Sequence, residues 1–293
     1  MKSTVYFSRE ISQQSLLKLF DAMGVELKGN VCVKLSSGEQ GGSYFLNAQM
    51  IKPLVEKVNG TIVECCTAYH GQRDFPQGQW DALKRHGFCD IAPCDVMDEH
   101  GEVKLPVEGG KNLNGFNLVG KNLLNYDSML VLSHFKGHVA GGFGGALKNI
   151  SIGIASRNGK ARLHSAGISD NPDECWNHTQ NQDGFLESMA EASWSVINYF
   201  KKENVVYINV ANNLSVDCDC NPNPAKPEMA DIGIFASIDP VALDQCCYDS
   251  VKHSHDCGKH ALIERMDSRH GIHTVEFAHE LGLGNREYEI VEL

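Results

Sequence analysis

Met129-Leu-Val-Leu-Ser-His134-Phe-Lys-Gly-His138-Val-Ala-Gly141-Gly142-Phe-Gly144-Gly145-Ala-Leu-Lys148-Asn149 carries both the fold signal and the densest chemistry of the chain. Residues 129–132 form a short apolar block with the look of a buried strand. His134 and His138 should therefore emerge at a strand's C-terminal end, where open α/β sheets bind ligands. Five glycines fall within residues 137–145. Lacking Cβ atoms, they let backbone approach a ligand and release φ for turns that aim N–H groups at an anion. Two histidines and a lysine flank them, and His164 follows sixteen residues after Lys148. A loop that only packs has no need of all these, so the segment reads as the site.

Outward from it, β and α signals alternate. Segments 5–7, 31–35, 61–65, 205–210, 232–235 and 288–291 are rich in β-branched residues and read as largely buried strands. Between them Leu16, Leu19, Phe20 and Met23 recur at helical spacing up to Gly24, and Ile51, Leu54, Val55 and Val58 do so up to Gly60. Residues 185–200 mark a longer helix, and Asp239-Pro240 offers an N-cap and first-turn proline for another. This is the pattern of an α/β protein with mainly parallel sheets and crossover helices. We expect one family domain over residues 1–293 in two lobes with a cleft between them. The loop-like stretch 165–183 is the expected boundary.

The chain has 293 residues, 42% of them hydrophobic, and a net charge of −11 spread without a basic stripe. That excludes nucleic acid and an anionic membrane as main partners and points to a small anionic substrate or a metal. No apolar run reaches spanning length and no signal-peptide h-region opens the chain, so a cytoplasmic location is expected. Eleven cysteines without a secretory signal read as thiols or ligands rather than disulfides. There is no Cys-x-x-Cys, no Walker motif, and no Gly-x-Gly-x-x-Gly opening the first helix.

Three further clusters carry polar chemistry. His70 and Arg73 follow the strand at 61–65, where a base and an anion clamp would serve. Asp217-Cys218-Asp219-Cys220 follows the strand at 205–210. Alternation in an extended segment points both sulfurs to one side, suited to a soft metal or a reactive thiol. His253, His255, Cys257 and His260 read as a surface cluster.

The blocks Tyr69-His-Gly-Gln-Arg73, His134 through Asn149, Asp217-Cys-Asp-Cys220 and Asp231 through Asp244 resemble the iron–sulfur centre proteins of domain-of-unknown-function family 362, over nearly the whole chain. Many members carry a ferredoxin module after the position of His164. Here that place holds residues 165–183 with only Cys175, a departure that argues against an iron–sulfur cluster. More distantly, His70, His138, Lys148 and His164 are similar in arrangement to the nickel-pincer lactate racemases. That resemblance implies Lys148 as the attachment point of a pincer nucleotide, His164 as metal ligand, and His70 and His138 as acid/base pair.

Together these readings name catalytic candidates His70, Arg73, His138 and Lys148. Cofactor contacts are expected at Gly141, Gly142, Gly144, Gly145, Lys148 and Asn149, and metal ligands at His134, His164, Cys218 and Cys220. The metal would be a divalent transition ion: nickel, iron or zinc. Two function classes follow. One is a metal- or metallocofactor-dependent enzyme moving a proton or hydride on a small anionic hydroxy or oxo compound; the other is a non-catalytic metal carrier or redox partner. Oligomeric state is not encoded in any of these signals.

Overall fold

The computed structural model describes residues 2–293. Eight strands form one sheet: β1 (Ser3–Ser8), β2 (Val31–Lys34), β3 (Gly60–Glu64), β4 (Cys94–Val96), β7 (Ser128–His134), β10 (Val205–Ala211), β11 (Gly233–Ser237) and β12 (Tyr288–Glu292). Two small hairpins stand outside it, β5 (Glu102–Val107) with β6 (Gly115–Gly120), and β8 (Lys136–His138) with β9 (Gly142–Gly144). The order across the large sheet is β12-β1-β11-β10-β7-β2-β3-β4. All neighbours pair in parallel except at β11, which runs against both β1 and β10.

Both faces of this sheet are covered, which is why its central strands are buried along their whole length and largely apolar rather than alternating. Leu130 and Leu132 of β7 face a core shared with α1 (Gln13–Ala22), α2 (Ala48–Lys57) and α3 (Pro76–Arg85). Met129 and Val131 face the opposite core, formed with α4 (Ala146–Ser151), α6 (Gln182–Phe200), α7 (Pro240–Lys252), α8 (Lys259–Ser268) and α9 (His273–Glu280). A smaller cluster lies between the β5–β6 hairpin, α5 (Arg157–His164) and α6. The expected N-cap at Asp239 is present: its Oδ1 accepts from the amides of Val241 and Ala242 at 2.9 and 3.0 Å. Strands from before and after residues 165–183 share the one sheet, so that segment connects α5 to α6 within a common core. No helix among the described residues is long and apolar enough to cross a membrane.

Candidate functional site

Strands β2, β3 and β7 run in parallel and end at the same edge of the sheet, delivering Lys34, Glu64 and His134 there. The β8–β9 hairpin, the start of α4 and the loop after β10 close over that edge. They enclose a cavity of about 320 Å³. Open α/β sheets place ligands at this position because no helix covers the strand ends.

The floor of the cavity is a set of buried ion pairs. Lys34 Nζ donates to Glu64 Oε2 at 2.7 Å, and Glu64 Oε1 accepts from the Ser37 amide at 2.7 Å. Burial pushes the Glu64 carboxyl up, but Lys34 and Arg73 outweigh it and hold the group below the usual range. Arg73 Nε donates to Glu39 Oε1 at 2.9 Å, and the Tyr69 hydroxyl donates to the same oxygen at 2.5 Å. On the other side Lys136 Nζ donates to Asp219, whose carboxylate also faces His134 Nδ1 at 3.1 Å. Burial again opposes ionisation, and His134 with Lys136 overcomes it.

The lining holds five cations, Lys34, Arg73, Lys136, Lys148 and Lys160, against two carboxylates, Glu64 and Asp219. Lys160 Nζ donates to the Ala155 carbonyl at 2.6 Å and forms no ion pair with a carboxylate among the described residues. The Lys148 side-chain amine has no hydrogen-bond partner among the described residues. Burial first, then the fields of Lys34 and Lys160, bring its amine down to about 8. Although the chain carries a net charge of −11, this cavity is lined by more cations than carboxylates. The ordinary lysine value is about 10.4, so amine modification of Lys148 followed against pH by peptide mapping should show a midpoint near 8, with surface lysines titrating about two units higher.

His134, His138, Lys148 and His164 all line this cavity, although they come from three elements and a hairpin. Their environments differ. His134 Nδ1 faces Asp219 and its Nε2 faces the Asn212 carbonyl at 2.6 Å, so neither nitrogen is free to ligate a metal. His138 Nδ1 accepts from the amides of Ala140 and Gly141 at 3.2 and 2.9 Å. Burial and the neighbouring Lys148 keep the ring neutral, its pKa well below the ordinary value. Its proton therefore sits on Nε2, and His138 presents a donor rather than a base. His164, at the end of α5, stacks on Phe185 at 4.7 Å between centroids and has no hydrogen-bond partner among the described residues. Burial, with Lys148 and Lys160, brings it down to about 3, so the imidazole is neutral and available as ligand or base.

Other expectations are corrected. Arg73 lines the cavity, but His70 does not: it is exposed, with Nδ1 3.2 Å from Asp74 and Nε2 2.9 Å from Asp173. The loop turns its arginine inward to Glu39 and leaves the histidine to two outer carboxylates. Gly144 and Gly145 line the cavity, whereas Gly141 and Gly142 do not. Gly142 has φ +77°, and a Cβ there would stand 2.9 Å from Gly271 Cα, so it serves packing against the α8–α9 turn. Gly145 must be glycine because a Cβ would lie 2.3 Å from Asp244 Oδ1. That carboxylate caps α4 through the amides of Ala146 and Leu147 at 2.8 and 2.9 Å. Asn149 lines the cavity, and its amide donates to the Lys34 carbonyl at 3.0 Å and to Ser133 Oγ at 3.0 Å, tying α4 to the sheet.

Cys218 and Cys220 line the cavity but are bonded to each other as a disulfide, with Cα atoms 5.2 Å apart. The alternation that points both sulfurs to one side also brings them within reach of each other. The expectation of no disulfides is thus overturned at this pair, and neither sulfur is a thiolate ligand in this state. Alkylation of the denatured protein without reductant should modify nine cysteines, and all eleven after reduction. Lys34, Glu64 and Lys160 were not singled out from sequence, and Lys136 and Asp219 stood in the highlighted stretches without a role of their own. The available signal was a lysine or glutamate closing an otherwise apolar strand, as at Lys34 and Glu64.

Fold and site together define an α/β protein with a cation-lined ligand cavity at the C-terminal edge of a mostly parallel sheet. Residues 31–249 match the family described as Domain of unknown function (DUF362), and the chain belongs to that family. No curated protein matches the chain. Among solved structures it is similar to the lactate racemase apoprotein from Thermoanaerobacterium thermosaccharolyticum, at 17% identity and TM-score 0.49, covering 84% of this chain and 57% of that one. It is also similar to a structural-genomics protein from Thermotoga maritima, at 13% identity and TM-score 0.42, covering 92% and 58%. The chain thus spans less than two thirds of either protein.

Proposed function

We propose that the cavity binds a small anionic hydroxy or oxo acid and that Lys148, His164 and His138 serve proton or hydride transfer at the carbon bearing its oxygen. The observation that carries this reading is the pairing of Lys148 and His164. Their side chains are without hydrogen-bond partners among the described residues, both titrate well away from their ordinary values, and they share a cavity whose cations outnumber its carboxylates. Buried groups perturbed by desolvation and by named charges in a concave site mark functional positions.

The residues have distinct parts to play. Lys160 and Lys34 set a positive potential that draws in a carboxylate. His138 Nε2–H donates to a substrate oxygen, its orientation fixed by the Ala140 and Gly141 amides. Lys148, with a pKa of about 8, takes up and gives back a proton near neutrality, where general acid–base catalysis is most effective. Val139 and Trp176 line the mouth, half-exposed, and shed water from a bound ligand. An unpaired amine beside a neutral imidazole also fits the attachment and ligation roles that resemblance to the nickel-pincer enzymes implies for Lys148 and His164. Such a group would supply a hydride acceptor, with Lys148 then serving attachment in place of proton exchange.

Intact-mass spectrometry with elemental analysis, on protein purified without chelators, tests the cofactor part. An added mass mapping to Lys148 together with stoichiometric metal, both absent from Lys148→Ala, supports it. An unmodified Lys148 in a metal-free protein leaves acid–base catalysis by the side chains alone and removes the cofactor from the proposal.

A further inference from the structure

We propose a second, independent site for a borderline divalent transition ion such as Zn²⁺, formed by His270, His273 and Glu276 on the far side of the glycine-rich hairpin from the cavity. Each offers one ligand atom, and the three atoms lie within 4.8 Å of one another. The second observation lies behind the rings. His270 Nδ1 is 2.7 Å from Asp183 Oδ1, and His273 Nε2 is 3.3 Å from Glu187 Oε1. A carboxylate on one ring nitrogen fixes the tautomer and leaves the other lone pair free, the arrangement that supports metal-ligating histidines. Here it frees His270 Nε2 and His273 Nδ1, and the latter is 3.9 Å from Glu276 Oε2. Arg286 holds the other Glu276 oxygen at 3.1 Å, which orients the carboxylate.

The charges around the cluster suit a dication. Asp183, Glu187 and Glu276 outnumber the two cations paired with them, Lys111 at 2.7 Å from Glu187 and Arg286. Two imidazoles and a carboxylate are a donor set that Zn²⁺ takes with a fourth position left for water. The two rings lie 4.9 Å apart and 15° from parallel, and because imidazole lone pairs lie in the ring plane, ligation of one ion by both would turn one ring about its side-chain torsions. His270 occupies the turn after α8 with φ +51°, a left-handed conformation that histidine adopts less readily than glycine.

The ion would join the α8–α9 turn and α9 to α6, which carries Asp183 and Glu187. That turn is what the glycine-rich hairpin packs on. Gln182 Nε2 donates both to the Ala140 carbonyl at 2.9 Å and to the Arg269 carbonyl at 2.8 Å. Occupancy should therefore also steady the segment that orients His138.

Titrating the chelator-dialysed full chain with Zn²⁺ by calorimetry, and with Co²⁺ by absorption, tests the proposal. The wild type and the Cys218→Ala/Cys220→Ala variant should each bind one equivalent that the His270→Ala/His273→Ala variant lacks. Asp183→Asn, which leaves all three ligands in place, should weaken binding about 10–100-fold and keeps the test open if the double histidine variant does not fold. Equal stoichiometry and affinity in wild type and the histidine variant overturns the assignment. So does an equivalent lost only with Cys218 and Cys220, which would place the ion in the cavity.

Discussion

Replacing Asp219 by alanine is expected to lower the unfolding free energy by about 3–5 kcal/mol, the usual cost of breaking a buried ion pair from one side. Lys136 and His134 are both buried with it, so its removal leaves a buried ammonium without a counter-charge. The loop after β10 loses its anchor as well, since Asp219 is what draws that loop onto β7 and β8. Lys136→Met combined with Asp219→Leu should recover most of the loss, because no buried charge is then left unpaired. The pH dependence follows from the direction of the shift. The folded Asp219 carboxyl lies below its ordinary value, so its contribution is complete above about pH 4 and is lost as pH falls through the unfolded value toward the folded one. Guanidinium unfolding at pH 7 and at pH 3 checks this: the deficit of Asp219→Ala relative to wild type should shrink at the lower pH. An equal deficit at both would show that packing, not charge, is what the residue supplies.

Substituting Lys148 should be as drastic for turnover and mild for stability. Lys148→Ala removes the amine on which the proposed chemistry turns, and loss of a positioned acid–base group costs about 10²–10⁴-fold. Lys148→Arg should not rescue activity, because a guanidinium stays charged at neutral pH and cannot exchange a proton there. Neither change breaks an ion pair, since Lys148 has none among the described residues. The melting temperature of Lys148→Ala should stay within a few degrees of wild type or rise, as one of the unpaired cations beside Lys34 and Lys160 disappears. Turnover retained within about tenfold would move the chemistry away from this residue.

The framework was legible in the sequence because it follows from local pattern. Residues 129–132 are apolar throughout and 31–35 and 205–210 are so except at Lys34 and Asn209, as suits strands covered on both faces, and they became the parallel centre of the sheet. The reversed direction of β11 was not legible, because strand direction depends on which elements a connection crosses and not on the residues within the strand. Helices α3, α4, α5, α8 and α9 were not read from the sequence. Three of them, α4, α5 and α9, run only 6, 8 and 8 residues, and α4 is capped by Asp244, almost a hundred residues away in sequence. At the site, the convergence of His134, His138, Lys148 and His164 followed from one strand end and one glycine-rich turn. Their division of labour did not. His134 is occupied at both nitrogens and His138 at one by Asp219, Asn212 and two amides, partners that no spacing reveals. The outward turn of His70 likewise depends on Asp173, a residue of the 165–183 segment.

The most direct measurement is the fate of the oxygen-bearing carbon in enantiopure two- to five-carbon 2-hydroxy acids incubated with protein purified without chelators, followed by chiral chromatography and proton NMR. The proposed function predicts loss of enantiomeric purity for a member of the panel, abolished in Lys148→Ala and in His164→Ala while both variants stay folded. Every acid remaining unchanged with the wild type, or change at the same rate with wild type and both variants, would contradict it.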